Sequence, residues 1–287
     1  MPLFAPRRAL GRTGFVATAV GAGDLADRAL GVDACAAVLR RALDEGINVV
    51  DTAPMYEDGL SEQIVGRALE GRREGVFVID KVDYLDRPLA PQLEGSIARL
   101  GFVPDAFVFH GVSKLEQWEA LVAPGGMMSE LQGRVRFRGV SSHHPEVVRA
   151  AILSGTCDLV MFAVGPHVDR RYTSEMLPLA RENGVGVVSF KTFGAGKLVA
   201  DTEGYGKPLS GPAGPKLTVE ECVHATLTLD PDVALMGLSN REEQDAAFAA
   251  CAGFTPLARE ALADVRRRAA EAVKGKGAIW WDPPAVS

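Results

Sequence analysis

The sequence from Asp51 to Leu69 reads DTAPMYEDGLSEQIVGRAL and follows a short apolar run at residues 47–50. The run predicts a buried strand, and the apolar residues between 64 and 69 have the spacing of one helix face. Asp51 therefore ends the strand, and Tyr56 lies in the loop before the helix. Where strands and helices alternate, the loops after the carboxyl ends of strands carry the chemistry. This stretch predicts an α/β fold with an acid and a phenol at a candidate site.

The same order of strand and then helix recurs along the rest of the chain. A predicted β-hairpin at residues 6–18 comes first and turns at residues 12–14. Eight predicted strands follow, at residues 17–21, 47–51, 76–80, 106–109, 135–140, 159–164, 185–190 and 233–236. Each precedes a predicted helix, at residues 33–45, 61–72, 89–100, 114–122, 145–153, 172–183, 218–229 and 241–251. A last helix is predicted at 256–273, and the long Gly- and Pro-rich segment at 193–215 indicates a functional or disordered loop.

The predicted strands are short and almost wholly apolar, which is typical of a parallel sheet that helices cover on both faces. Eight repeats favour a closed (β/α)8 barrel, that is, a TIM barrel, with an N-terminal β-hairpin and an extra C-terminal helix. A doubly wound sheet is the alternative, because Gly21 and Gly23 begin a GxGxxG turn, but its third glycine is missing. One barrel accounts for the length, so we expect a single domain over residues 1–287.

The composition argues against several classes of function. A net charge of −6 gives no electrostatic case for binding nucleic acid or an anionic membrane. No uncharged apolar run approaches the roughly 20 residues of a membrane helix, and the first residues lack the apolar stretch of a signal peptide. The four cysteines have no CxxC spacing, so buried thiols are expected rather than a metal or redox site. These features predict a cytoplasmic protein without a bound metal.

Four polar residues stand at or just past the carboxyl ends of three successive predicted strands: Asp51, Tyr56, Lys81 and His110. Neighbouring parallel strands lie about 4.8 Å apart, so these side chains can converge at one end of a barrel. Each residue alone has an ordinary explanation, such as a loop hydrogen bond, packing or solvent contact. Their occurrence together at the same end favours a catalytic site.

The four groups suit the protonation of a carbonyl oxygen. A free phenol titrates near pH ~10, and a nearby lysine ammonium is expected to lower that value. A carboxylate keeps the lysine charged, and a histidine can hydrogen-bond the same substrate oxygen. Together they form a general acid for an oxygen that gains negative charge. No side chain delivers hydride, so a nicotinamide cofactor is implied.

The chain resembles the aldo-keto reductase superfamily over nearly its whole length. The resemblance lies in the opening hairpin LGRTGFVATAVGAGDL, the Asp51–Leu69 stretch, the strands VFVIDKV and DAFVFHGV, the turn GVSSHHP and the segment VGVVSFKTFGAGKL. It implies a (β/α)8 barrel that binds NAD(P)H in extended form, and an enzyme that interconverts a small carbonyl compound and its alcohol. It also implies that Tyr56 is the acid and base, that Lys81 and Asp51 tune it, and that His110 orients the carbonyl.

The resemblance also places the cofactor. Ser141 and Ser142 fall where the superfamily holds the nicotinamide carboxamide with Ser-Asn, Met161 where it has Gln, and Phe190 where an aromatic ring stacks on the nicotinamide. Residues 191–197 resemble the segment that contacts the pyrophosphate. The predicted cofactor-binding residues are Gly23, Asp24, Asp51, Ser141, Ser142, Met161, Phe190, Lys191, Thr192, Phe193, Gly194, Lys197, Gly237, Ser239, Asn240 and Glu243.

The preferred cofactor depends on residues 237–243, which match the binding site for the adenosine end. Arg241 favours the 2′-phosphate of NADP, whereas Glu242 and Glu243 favour the ribose diol of NAD. An Asn usual near Ala247 is missing. Because members of the superfamily usually prefer NADP, we predict NADP.

Three alternatives compete with the reductase hypothesis. Metal-dependent hydrolysis would draw its ligands from Asp51, His110, His143, His144 and His167, although no metal-binding spacing occurs. A Schiff-base aldolase would use Lys81 or Lys191 as its nucleophile. A catalytically weak nucleotide-binding or regulatory relative would fit the altered residues at 142, 161 and 247. The substrate, the reaction direction and the oligomeric state are left open, and the candidate pocket residues are Met55, Tyr84, Trp118, His143, Phe162 and Trp280 or Trp281.

Overall fold

A computed structural model describes residues 2–281 of the chain. Eight parallel strands form a closed barrel in the order β12-β3-β4-β5-β6-β7-β8-β9. The strands are β1 (Arg8–Ala9), β2 (Val16–Ala17), β3 (Val20–Ala22), β4 (Val49–Asp51), β5 (Phe77–Val82), β6 (Ala106–Phe109), β7 (Phe137–Ser141), β8 (Leu159–Ala163), β9 (Gly186–Phe190), β10 (Thr202–Gly204), β11 (Lys207–Pro208) and β12 (Val233–Met236). The predicted (β/α)8 barrel is confirmed.

Helices surround the barrel and follow its strands. They are α1 (Val32–Asp44), α2 (Leu60–Leu69), α3 (Leu89–Leu100), α4 (Leu115–Val122), α5 (Met127–Glu130), α6 (Pro145–Leu153), α7 (Leu177–Glu182), α8 (Val219–Leu229), α9 (Arg241–Ala252) and α10 (Arg259–Ala272). Local chemistry sets their ends. Thr218 caps α8 by accepting from the Glu221 N–H, while the Glu221 carboxylate accepts from the Thr218 N–H. Gly101 ends α3 with a left-handed φ of 80°.

The core has an inner and an outer part because successive strand residues point to opposite faces. Inside the barrel, side chains such as Val49, Ile79 and Val108 pack together and are fully buried. The outward residues between them, such as Val50 and Phe107, pack under the helices. Strands covered on both sides must be apolar throughout, which explains the sequence pattern.

The N-terminal β-hairpin is confirmed, since β1 pairs antiparallel with β2 through Arg8 and Ala17. The predicted start of the first barrel strand at residue 17 is wrong. Ala17 belongs to the hairpin, and the N–H of Thr18 bonds the Asn48 side chain instead of a neighbouring strand. The barrel strand therefore begins only at Val20.

Two helical details also differ from the prediction. The short helix α5 was missed, because four residues are too few to show a helical period. The predicted helix at 172–183 begins with a wide π turn at Tyr172–Met176 before α7. Pro178 lies in the first turn of α7 and lacks the N–H of a regular helix, which accounts for the break there.

The long segment after β9 is ordered around a second hairpin, formed by β10 and β11. Two fully buried lysines fasten it to the chain after α10. The Lys197 ammonium donates to the carbonyl oxygens of Lys276 (2.6 Å) and Ala278 (2.7 Å), and the Lys276 ammonium donates back to the carbonyl of Lys197 (2.8 Å). Trp281 is fully buried beyond this pair and donates from its indole to the carbonyl of His167 (2.9 Å). The extra C-terminal helix α10 thus leads into a segment that is packed onto the barrel.

Candidate active site

The ends of β4, β5 and β6 bring the four predicted catalytic residues together. The Lys81 ammonium donates to both carboxylate oxygens of Asp51, each at 2.7 Å, and to the carbonyl of Thr52 at 2.8 Å. It also lies 4.5 Å from the centre of the Tyr56 ring. The His110 ring meets the Tyr56 ring edge-on, with 5.7 Å between centroids. The predicted convergence is therefore present.

The ion pair between Lys81 and Asp51 is enclosed by protein, with side-chain exposures of 1% and 4%. Burial raises the pKa of Asp51, and the charge and hydrogen bonds of Lys81 oppose that rise. A buried ion pair gains from its geometry only if its remaining donors and acceptors are satisfied. The carbonyl of Thr52 supplies a third acceptor to the ammonium, so the pair fixes Lys81 beneath the phenol.

The pKa of Tyr56 is raised well above its usual value, which corrects the expectation from sequence. Burial is the main cause, followed by the negative charges of Asp51 and Asp24. The Lys81 charge was expected to prevail, but Asp51 binds Lys81 through both oxygens and offsets its field at the phenol. Tyr56 therefore holds its proton at neutral pH, which is the form that a proton donor needs.

Asp83 is a member of this cluster that the sequence interpretation missed. Its Oδ1 lies 2.5 Å from Nδ1 of His110, and its Oδ2 accepts from the N–H of Met55 at 2.8 Å. Its side chain is completely enclosed. A signal was available, because Asp83 follows Lys81 by two residues and residues two apart share a face of a strand.

The predicted cofactor residues line an arc beside this cluster. Apart from Asp51 at the end of β4, they lie on or after β3, β7, β8, β9 and β12, which are contiguous around the closed barrel. The catalytic residues follow β4, β5 and β6, which complete the ring. Both groups stand at the carboxyl end of the barrel, so a ligand along the arc would reach Tyr56.

The residues predicted for the nicotinamide end differ in burial and in hydrogen bonding. Phe190 is half-buried at the barrel mouth and meets His143 edge-on, with 5.0 Å between ring centroids. Ser142 is fully buried, and its hydroxyl donates to the carbonyl of Val112 (2.6 Å) and accepts from the N–H of His144 (3.0 Å). These hydrogen bonds stabilise the turn after β7, and the hydroxyl proton of Ser142 is not available to donate to a carboxamide. Met161 is buried inside the barrel.

The segment predicted to contact the pyrophosphate divides into two parts. The Lys197 ammonium donates to two backbone carbonyls, which gives Lys197 a role in packing. Lys191 stays half-buried near the mouth and donates to the Tyr205 hydroxyl. Burial lowers the pKa of Lys191 to about 8. Of the two lysines predicted to contact the pyrophosphate, Lys191 is therefore the one whose ammonium lies near the barrel mouth.

Two buried polar atoms near this arc fit a polar ligand. Within residues 2–281, neither the Thr192 hydroxyl nor Nδ1 of His143 has a hydrogen-bond partner. Buried polar groups are normally satisfied, so such atoms mark a place where a ligand can bind. Gly194, two residues after Thr192, has a left-handed φ of 54°, and a side chain there would meet Leu198 at 3.0 Å. These features suit an amide- or phosphate-bearing molecule along β9.

The segment predicted to bind the adenosine end contains an acid at its centre. The Glu243 carboxylate accepts from the N–H of Ser239 at 2.9 Å, and the Asn240 side chain caps α9 by accepting from the N–H of Glu243 at 2.9 Å. A carboxylate thus occupies a backbone donor that an anionic group would use. Gly237, Gly23 and Asp24 border the same rim, and the carbonyl of Met236 accepts from the N–H of Gly23.

The candidate pocket residues separate by exposure. Trp118, Phe162 and Trp281 are all buried in the outer core, so none of these three lines the open mouth. The exposed candidates are Met55, Tyr84 and Trp280, and His143 is half-buried. Within residues 2–281, no three His, Cys, Asp or Glu side chains gather as a metal site would require.

The barrel and its group of phenol, ammonium, carboxylate and imidazole define an oxidoreductase that uses a nicotinamide cofactor. The sequence profile of the Aldo/keto reductase family matches residues 19–229, and the chain belongs to this family. It is therefore an NAD(P)H-dependent enzyme of the aldo-keto reductase class. No helix within residues 2–281 is both long and apolar enough to span a membrane.

Similar proteins with assigned names are moderately distant. The NADH-specific methylglyoxal reductase of Escherichia coli is 29% identical over 223 residues, which cover 69% of this chain and 68% of that protein. The L-galactose dehydrogenase of Arabidopsis thaliana is 27% identical over 230 residues, with coverages of 73% and 71%.

Solved structures show the same fold. The holo form of an aldo-keto reductase from Bacillus halodurans superposes with a TM-score of 0.69 at 24% identity, covering 94% of this chain and 97% of that one. An aldo/keto reductase from Klebsiella pneumoniae in complex with NADP and acetate gives a TM-score of 0.67 at 20% identity, covering 98% of each chain.

Proposed function

We propose that this single-domain protein reduces a small aldehyde or ketone to its alcohol, or catalyses the reverse reaction, with Tyr56 as the proton donor and acceptor. The observation that carries the proposal is the buried contact of Lys81 with Asp51 directly beneath the Tyr56 ring. A nicotinamide cofactor bound at this site would supply or receive the hydride. His110 stands edge-on to Tyr56, where it can orient the substrate oxygen.

The site keeps a proton on Tyr56 and a cation beside its ring. The raised pKa of Tyr56 keeps the phenol protonated, and the Lys81 ammonium lies 4.5 Å from the centre of the phenol ring. As the proton leaves, the phenolate is stabilised by Lys81, whose ammonium is already positioned. Water is excluded from the ion pair, which strengthens this effect.

The cofactor is proposed to lie along the arc after β3, β7, β8, β9 and β12. Ser141, Phe190 and Lys191 would hold the nicotinamide half, together with Thr192, Phe193 and Gly194. Gly23, Asp24, Gly237, Ser239 and Asn240 would border the adenosine half. Ser142 and Met161 supply no free donor for the carboxamide, so His143 and backbone groups take a larger share of that contact.

We propose NADH as the preferred cofactor. This reverses the prediction of NADP, which followed the usual preference of the superfamily. Glu243 takes the N–H of Ser239, and a 2′-phosphate placed there would meet that carboxylate and Glu242. A ribose diol can instead donate to an acid. Arg241 is the one cation in the 237–243 segment. Of the similar proteins, one is named as NADH-specific and another is solved in complex with NADP. Steady-state kinetics with both cofactors must therefore distinguish between them.

The substrate is proposed to be a small carbonyl compound. Met55, Tyr84 and Trp280, the exposed pocket candidates, are apolar or aromatic, which suits an aldehyde or ketone of modest polarity. The names of the relatives, for methylglyoxal and L-galactose, support small aldehydes and sugars. The cysteines at 35, 157, 222 and 251 are free thiols, which is compatible with the reducing cytoplasm that we propose as the location.

A panel of small aldehydes and ketones, with NADH and NADPH offered separately, tests this function. Absorbance of the reduced cofactor reports turnover, and quenching of tryptophan fluorescence reports binding. Steady turnover of at least one carbonyl supports the proposal.

Binding without turnover would favour a second candidate, a weak or regulatory nucleotide-binding relative. The observations behind that candidate are the committed hydroxyl of Ser142 and the buried thioether of Met161.

A further inference from the structure

We propose that Asp83 is a positioning residue of this site, which fixes the tautomer and orientation of His110 and seats the loop that carries Tyr56. This inference rests on the proposed function. Asp83 lies just beyond β5, two residues after Lys81. One side chain therefore connects the ends of β5 and β6 with the loop after β4.

The contacts of Asp83 are well defined. Oδ1 lies 2.5 Å from Nδ1 of His110, and Oδ2 accepts from the N–H of Met55 at 2.8 Å. The Asp83 side chain is fully enclosed, whereas that of His110 keeps 19% of its surface exposed. Asp83 is thus removed from solvent while the histidine faces the mouth. Met55 directly precedes Tyr56, so the second contact holds the backbone next to the phenol.

The chemistry of the carboxylate determines which ring nitrogen carries the proton. An ionised carboxylate can only accept hydrogen bonds, so Nδ1 of His110 must donate. Nε2 then faces the substrate oxygen: it accepts from an alcohol when the ring is neutral, and it donates to a carbonyl when the ring carries a second proton. An acid that holds a catalytic imidazole in one tautomer is a known device of active sites.

The substitution Asp83→Asn should reverse the tautomer. The N–H of Met55 can only donate, so it must keep the amide oxygen of the new side chain. The amide NH2 then faces His110 and can be satisfied only if Nδ1 has lost its proton. Long-range ¹H–¹⁵N NMR of histidine-labelled protein reads this directly, with His110→Gln used to assign the signals. We expect a protonated Nδ1 in the unsubstituted protein and a protonated Nε2 in the Asn variant.

The substitution Asp83→Ala removes both contacts and should lower kcat by roughly 10- to 100-fold, since general acid–base catalysis contributes about that much or more. The Kd of NADH should stay within about twofold, because Asp83 lies outside the cofactor arc. Asp86→Ala is the matched control, as Asp86 is exposed in the same loop. In a His110→Ala background, most of the loss from Asp83→Ala should disappear, because the groups act as a unit.

Three results would overturn the inference: an unprotonated Nδ1 of His110 in the unsubstituted protein, an unchanged kcat in Asp83→Ala, or an equal loss with and without His110. If Asp83→Ala fails to fold, the NMR measurements on the unsubstituted protein and the Asn variant still decide. Absence of turnover with any carbonyl would instead contradict the proposed function, and the NMR result would stand apart from it.

Discussion

The ammonium of Lys81 is equidistant, at 2.7 Å, from the two carboxylate oxygens of Asp51, and both side chains are buried. The pair joins the ends of two adjacent strands, β4 and β5, under the Tyr56 ring. Its burial predicts a role in stability, and the proposed mechanism gives it a role in catalysis. Removing one partner leaves the other charge buried, which is costly in any protein interior.

Asp51→Asn should therefore lower the free energy of unfolding by about 3–5 kcal/mol and abolish most turnover, because the Lys81 ammonium loses its counter-charge. Asp58→Asn is the matched control, since the Asp58 side chain is 88% exposed. Its ion pair with Arg28 lies at the surface, where solvent screens it, so the substitution should leave stability almost unchanged. Urea unfolding of the three proteins measures the difference. Equal stabilities would show that the buried pair is not needed by the fold.

The preference for NADH should depend on Glu243. In Glu243→Lys, a cation replaces the acid that holds the Ser239 N–H, and kcat/KM with NADPH should rise by roughly tenfold, which is about 1.4 kcal/mol. Steady-state kinetics with both cofactors measures the change. Glu260→Lys adds the same charge on the exposed surface of α10 and should leave the preference unchanged. A parent protein that already uses NADPH better than NADH would contradict the assignment.

Lys197 should stabilise the fold and have little direct effect on the cofactor. Lys197→Met leaves the carbonyls of Lys276 and Ala278 without their donor, which costs about 1–3 kcal/mol of unfolding free energy. The buried Trp281 should also become more exposed, with a red-shifted fluorescence. Lys207→Met, at an exposed position of β11, is the control. A variant of normal stability that binds NADH weakly would instead restore the predicted contact with the pyrophosphate.

His143 should make stability depend on pH. Burial, with the nearby charges of Lys191 and His110, lowers the pKa of His143 from 6.5 to about 3. Between these values the unfolded chain binds more protons than the folded one, so stability rises with pH across this window and falls as the pH drops toward 3. His143→Asn should remove this contribution. As the pH falls below 6.5, the parent should therefore lose unfolding free energy relative to the variant. A difference between the two proteins that stays constant with pH would refute the burial argument.

The barrel and the convergence of the candidate catalytic residues could be predicted from the sequence because both depend on strand ends. Asp51, Lys81 and His110 each follow an apolar run, and the parallel order of the strands alone brings them together. Residues whose role depends on side-chain direction were predicted less well. The resemblance gave Ser142 and Lys197 positions along the chain, but their partners, the carbonyls of Val112 and Lys276, are set by tertiary packing.

The pKa of Tyr56 shows the same limit in electrostatics. The sequence shows that Lys81 is near Tyr56. Whether the pKa of Tyr56 rises or falls depends on the depth of burial and on the hydrogen bonds of Lys81 to both oxygens of Asp51. Asp83 was missed for a related reason, since an acid in a loop has many ordinary roles. Its spacing from Lys81 was one signal, and the contact with His110 distinguishes it from other loop acids.

The most direct test of the account is Tyr56→Phe, which removes one hydroxyl and keeps the ring. We expect NADH to bind with an unchanged Kd, by fluorescence quenching, while turnover of the best carbonyl substrate falls by about 100- to 10,000-fold. Near-normal turnover in this variant would contradict the assignment of Tyr56 as the acid, and with it the proposed mechanism.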